Sequence, residues 1–159
     1  YFNVIVEQYQ YGKNQDIEYR RIRRAAHNAQ IELSNMISSL SAEPNPNPEL
    51  IHYAFRYLVY SHSQLSYVAA LGSQRQKIDE EQVLQLLLRC QQILSQSVLE
   101  QSLPDNTYIE QTLQEIRGLT THEQLSEKYT LVLKQISLLL ETLPELLMLK
   151  DKLLEQEIK

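Results

Sequence analysis

Apolar residues along this chain recur at alternating steps of three and four over long stretches. Ile22, Ala26, Ala29, Leu33, Met36 and Leu40 step by 4-3-4-3-4, which draws one stripe along a helix and makes a seam for a neighbouring helix. The spacing predicts a helix from about Lys13 to Ala42. Glu43-Pro44-Asn45-Pro46-Asn47-Pro48 ends it, because proline lacks the amide donor a helix needs. Asn47 is a good cap and Pro48 suits a first helical position. A second helix is expected to run to about Ser73, with Ile51, Ala54, Leu58, Ser61, Leu65, Val68 and Gly72 in its seam and Gly72-Ser73 at its close.

Asp79 with Gln82 three residues on reads as a helix start. The third predicted helix covers about 80–102, with Val83, Leu87, Cys90, Leu94 and Val98 inward and Leu86, Leu88 and Ile93 widening its apolar face. Pro104-Asp105-Asn106 breaks it. A short fourth helix follows from about Asn106 to Arg117 and stops at Gly118. Thr120 with Glu123 opens a fifth, whose seam is Leu125, Tyr129, Val132, Ile136, Leu139 and Leu143. Pro144 is expected to kink or split it, and Leu146 to Ile158 continues as an amphipathic tail. Residues 1–12 carry Tyr1, Phe2, Val4, Ile5, Val6, Tyr9 and Tyr11 ahead of Gly12 and read as a frayed or separate helical turn.

Short connections make consecutive helices antiparallel neighbours. The expected fold is therefore all-α, an antiparallel helix bundle of four to six helices with short connections. A composition of 159 residues with three glycines and five prolines agrees. The net charge of −5 argues against a general nucleic-acid binder. Cys90 stands alone, so no internal disulfide can form, and its Leu-rich helix suggests a small buried apolar group in a reducing compartment. No stretch of about 18 apolar residues spans a bilayer, and the start does not read as a signal peptide. The chain does not begin with Met and is expected to be a piece of a longer protein.

The least ordinary feature is Arg20, Arg21, Arg23 and Arg24, four arginines within five positions, running straight into the small-residue seam at Ala25, Ala26 and Ala29. With Tyr19 before it and His27-Asn28, Leu33-Ser34, Met36 and Glu43-Pro44 after it, the segment resembles the YccS/YhfK type of bacterial inner-membrane protein. That type belongs to the fusaric-acid-resistance superfamily, assigned to aromatic-acid efflux. Gln8-Tyr9-Gln10 and Gly12-Lys13 resemble the segment that follows the last membrane helix there. The similarity is densest over residues 8–75 and thins after about 80.

The resemblance implies a C-terminal cytoplasmic domain of such a transporter: residues 1–12 a juxtamembrane segment, residues 13–159 a helical bundle. The implied work is scaffolding, oligomerisation or gating of the membrane part of the same polypeptide. The implied place is the cytoplasmic side of the bacterial inner membrane. Two other readings stand beside it, a soluble helical adaptor that docks a partner helix and a ligand-sensing domain for aromatic acids.

The arginines read as a membrane-surface or anion-contact patch, which the positive-inside rule favours close to a membrane helix. The bland alternative pairs Asp16 with Arg20, Glu18 with Arg21, and the rest with acidic residues on other helices. His27, Asn28 and Ala29 are expected to pack against neighbouring helices. Tyr53, Tyr57, Tyr60 and Tyr67 stand on the second helix as a candidate aromatic groove, or as core-edge packing with hydroxyls at the rim. His27, His52, His62 and His122 show no i, i+4 metal pair, so neither a metal nor a cofactor is expected. No catalytic motif is present, and the expectation is a non-enzyme. Surplus leucines at Leu138, Leu140, Leu146, Leu147, Leu149, Leu153 and Leu154 suggest coverage on two sides and hence self-association.

Overall fold

A computed structural model describes residues 1–12, 16–74, 76–99, 106–121 and 125–157. Among these there are six helices and no strand: α1 (Phe2–Tyr11), α2 (Asp16–Ser41), α3 (Pro48–Ser73), α4 (Glu81–Leu99), α5 (Asn106–Thr120) and α6 (Glu127–Glu157). The chain is an all-α bundle. The predicted helix start at Lys13, the stretch 100–105, His122, Glu123 and Ile158 fall outside the described residues.

Helix α6 is the hub, packing against α3, α4 and α5, while α2 lies against α3 and, near its start, α1. The leucine surplus follows from this position. Leu139, Leu140 and Leu149 are fully buried within the chain, so the domain itself covers both sides of α6. Pro144 does not split α6, which runs through it as one helix of 31 residues. Gln64 Nε2 ties α3 to this helix, donating to Leu139 O and Thr142 Oγ1, each at 2.8 Å. Arg56 of α3 also pairs with Glu145.

Residues 2–11 are not a frayed turn. Phe2, Ile5, Val6 and Tyr9 of α1 belong to the same core cluster as Leu87, Ile93, Ile136 and Leu139. Tyr9 spans the core to donate to Leu71 O at 2.8 Å, and its own carbonyl accepts from Ile78 N at 2.9 Å. Gly12 ends α1 with φ +91°, a conformation side-chain-bearing residues rarely adopt. Asn47 caps α3 as its type suggests, accepting from Glu49 N at 3.0 Å and Leu50 N at 3.3 Å.

Helix α3 ends at Ser73 with Gly72 in its seam, as read, and Gln74 is the cap residue. Gly72 sits one residue inside the helix end and is buried, because Tyr19, Ile5 and Tyr1 crowd its Cα; a Cβ there would lie 2.6 Å from the Tyr19 hydroxyl. Thr120 is the last residue of α5 rather than the opening of the next helix, which starts at Glu127. Val98 points outward, and Ile93 and Ser97 take the inward places near the end of α4.

Candidate functional site

Helices α2 and α3 run antiparallel, as Tyr19 meets Gly72 at one end and Gln30 meets Ser61 in the middle. The join is partly polar. Gln30 Nε2 donates to Leu58 O at 3.5 Å. Ser61 Oγ stands 3.3 Å from Gln30 Oε1 and 3.0 Å from Leu58 O, its single proton serving one at a time. Ala26 and Ala54 face into the same join and allow the close approach. Because α2 has neighbours on one side only, it buries just Tyr19 and Ile37.

One-sided packing corrects the seam read from the sequence. Gln30 and Ile37 occupy inward places where Ala29 and Met36 were expected, and Met36 is 70% exposed. His27, Asn28 and Ala29 are all exposed. Among the described residues no side-chain hydrogen bond ties them to another helix, and His27 lines the rim of a groove.

All four arginines are exposed. Arg21 makes a forked contact with Glu18, donating from Nε at 3.0 Å and from Nη2 at 2.7 Å. That hydrogen bond holds the Glu18 carboxyl below its usual range and the Arg21 guanidinium above its own. Arg20, Arg23 and Arg24 have no ion pair among the described residues. Asp16 does not pair with Arg20, and among the described residues no acidic residue of another helix pairs with Arg20 either.

Beside the arginines an open groove of about 490 Å³ runs between the two helices, lined by His27, Gln30, Ile31 and Ser34 on α2 and by Leu58, Val59, His62 and Ser63 on α3. Arg20, Arg24, His27 and Ile31 follow one another by four, three and four residues, so the cations and the groove share one flank of α2. Ile31 is 58% and Val59 62% exposed, and Phe55, one turn along α3 from Val59, is 45% exposed. From Leu50 to Ser73, α3 carries no Asp or Glu. The flank is therefore cationic at one end, apolar at the other, and poor in carboxylates.

The tyrosines are placed differently. Tyr53 donates to Glu49 Oε1 of its own helix at 3.2 Å. Tyr67 packs against the main core. Tyr57 is half-buried, which pushes its hydroxyl pKa up. None of the four lines the groove described above. A second groove, about 410 Å³ between α4 and α5, includes Glu81, Gln85, Leu86, Arg89 and Glu115, and an Arg89–Glu115 pair of 2.7 Å stands at its edge.

Among the described residues no three His, Cys, Asp or Glu side chains converge as metal ligands. Cys90 is buried in the core, and burial raises its thiol pKa. No described helix is long and apolar enough to cross a membrane.

Sequence reasoning found the arginines but missed Ile17, Phe55 and Val59. An apolar residue outside a seam is ordinary on any surface. The available signal was the absence of carboxylates over residues 50–73.

Comparison with known proteins gives the context. The chain is 32% identical over 148 residues to the inner membrane protein YccS of Escherichia coli K12, a match covering 92% of this chain and 20% of that protein. It is 36% identical over 74 residues to an uncharacterized protein of Haemophilus influenzae, covering 46% of this chain and 10% of the other. The chain thus spans about a fifth of the length of YccS. No protein-family model matches it, and no solved structure does.

Proposed function

The chain carries a domain of the YccS inner-membrane type, and on that footing we propose that it is the cytoplasmic helical domain of a membrane transporter. Its work is to scaffold, oligomerise or gate the membrane-embedded part of the same polypeptide. The observation that carries this reading is near-complete alignment with one segment of a much longer inner membrane protein, joined to an α2 surface on which Arg20, Arg23 and Arg24 have no ion pair among the described residues. Unpaired cations beside a membrane belong on the cytoplasmic side by the positive-inside rule. Aromatic-acid efflux as the transported chemistry rests on the resemblance to the fusaric-acid-resistance superfamily.

The domain acts without catalysis in this reading. Its described grooves are open, Cys90 is buried with a raised pKa, and Ser63 of the α2–α3 groove donates to Val59 O of its own helix. Membrane fractionation of the full-length protein that contains this chain tests the proposal. The protein should stay with the membrane through an alkaline carbonate wash. Removal of residues 1–159 should leave insertion intact while disrupting the native oligomer or transport. A full-length protein recovered in the soluble fraction would refute the reading.

A further inference from the structure

We propose that the outer flank of α2 and α3 rests on an anionic bilayer surface, with Arg20, Arg23 and Arg24 against headgroup phosphates and Ile17, Ile31, Phe55 and Val59 in the interfacial layer. The inference rests on the reading of this chain as part of an inner-membrane protein.

Three observations converge on one face. Ile17 is 85% exposed, and it stands on the same outward arc of α2 as Arg20, Arg24 and Ile31. Phe55 and Val59 continue the apolar part on α3 across the groove. Large apolar side chains gathered in this way mark a contact surface, whereas the same residues scattered singly would not. Interleaved arginines fit headgroup phosphates, which guanidinium groups bind in a forked geometry.

Charge also fixes the orientation. The chain bears −5 overall and would be repelled by an anionic surface in most poses. The α2–α3 flank is the exception: α3 has no carboxylate from Leu50 to Ser73, and Glu18 is neutralised by Arg21. Glu32 is the exposed carboxylate of α2 that has no ion pair among the described residues, and it stands beyond the arginine cluster. Most acidic residues of the chain come after residue 76, beyond the ends of these two helices.

Flotation of the 159-residue chain with vesicles gives the test. Vesicles of phosphatidylglycerol and phosphatidylethanolamine should bind it, pure phosphatidylcholine should not, and binding should fall in high salt. The triple variant Arg20→Gln, Arg23→Gln, Arg24→Gln should bind roughly 100-fold more weakly. The pair Phe55→Ser, Val59→Ser should lose roughly tenfold or more. Exposed Met148→Ser with Leu154→Ser, on α6, should change nothing. These substitutions lie on the surface, and circular dichroism should confirm unchanged helicity.

A folded chain that ignores anionic vesicles, or a triple variant that binds as before, overturns the proposal. So does a stable dimer in solution that the Phe55→Ser, Val59→Ser variant abolishes, because a second copy then covers the face. Either failure leaves membrane fractionation of the full-length protein untouched, so the two readings fall separately.

Discussion

Gly72 shows how much one missing methyl can decide. Tyr19, Ile5 and Tyr1 close on its Cα, and Tyr19 donates from there to the Gly72 carbonyl at 3.5 Å. Gly72→Leu should cost about 1–3 kcal/mol through displacement of these side chains, read as a lower urea midpoint with an unchanged slope. Cys90 sets a second residue-scale expectation. Burial raises its thiol above the ordinary value of 9.0, so the folded state keeps the proton where the unfolded chain releases it. Stability is then fully present below pH 9 and should fall above it, by about 1.4 kcal/mol per pH unit while the folded thiol stays protonated. Half-buried Tyr57, also raised, adds a loss of the same sign at higher pH. Urea titrations at pH 8 and pH 10 check this, and Cys90→Ala should flatten the slope. Gln30 shows why the seam could not be read residue by residue. A polar side chain that pairs across a helix join looks like a surface residue in any hydrophobic pattern.

At the scale of elements, the helices and their order were legible because their seams are long and proline or glycine punctuates the gaps. The cap at Asn47 was legible from residue type alone, and Asn47→Ala should cost about 1 kcal/mol. What escaped was the length of α1 and its place in the core. Phe2, Ile5, Val6 and Tyr9 do fall at helical steps, but ten residues make too short a helix to stand by propensity; its burial against α4, α2 and α3 holds it. Ile5→Ala should therefore cost about 2–5 kcal/mol, as a core truncation does, while Ile17→Ala should stay within about 0.5 kcal/mol. Helix α2 is the opposite case, long and strongly patterned yet covered on one side. Its amides should exchange through local opening ahead of those in α6, where Leu139 and Leu140 are fully buried. Exchange in α2 as slow as in α6 would mean that something else covers it.

At the scale of the molecule, the sequence disclosed the bundle and its kinship but not its layout. The central place of α6 came from leucines on more than one side of that helix, a pattern that fits a second chain as well as two more helices of the same one. The packing of α3, α4 and α5 around it accounts for the buried Leu139, Leu140 and Leu149, while Leu154 stays 46% exposed. The candidate site was half legible for a similar reason. The arginines declare themselves in the sequence, whereas the lack of an ion pair at Arg20, Arg23 and Arg24 among the described residues, and the flank they share with Ile31 and Val59, depend on how α2 and α3 pair. The central claim is that this bundle hangs on the cytoplasmic side of an inner-membrane protein. A topology reporter placed directly after Lys159 in the full-length protein tests it most directly. The account predicts a fluorescent green fluorescent protein fusion and an inactive alkaline phosphatase fusion; an active phosphatase with a dark fluorescent protein would contradict it.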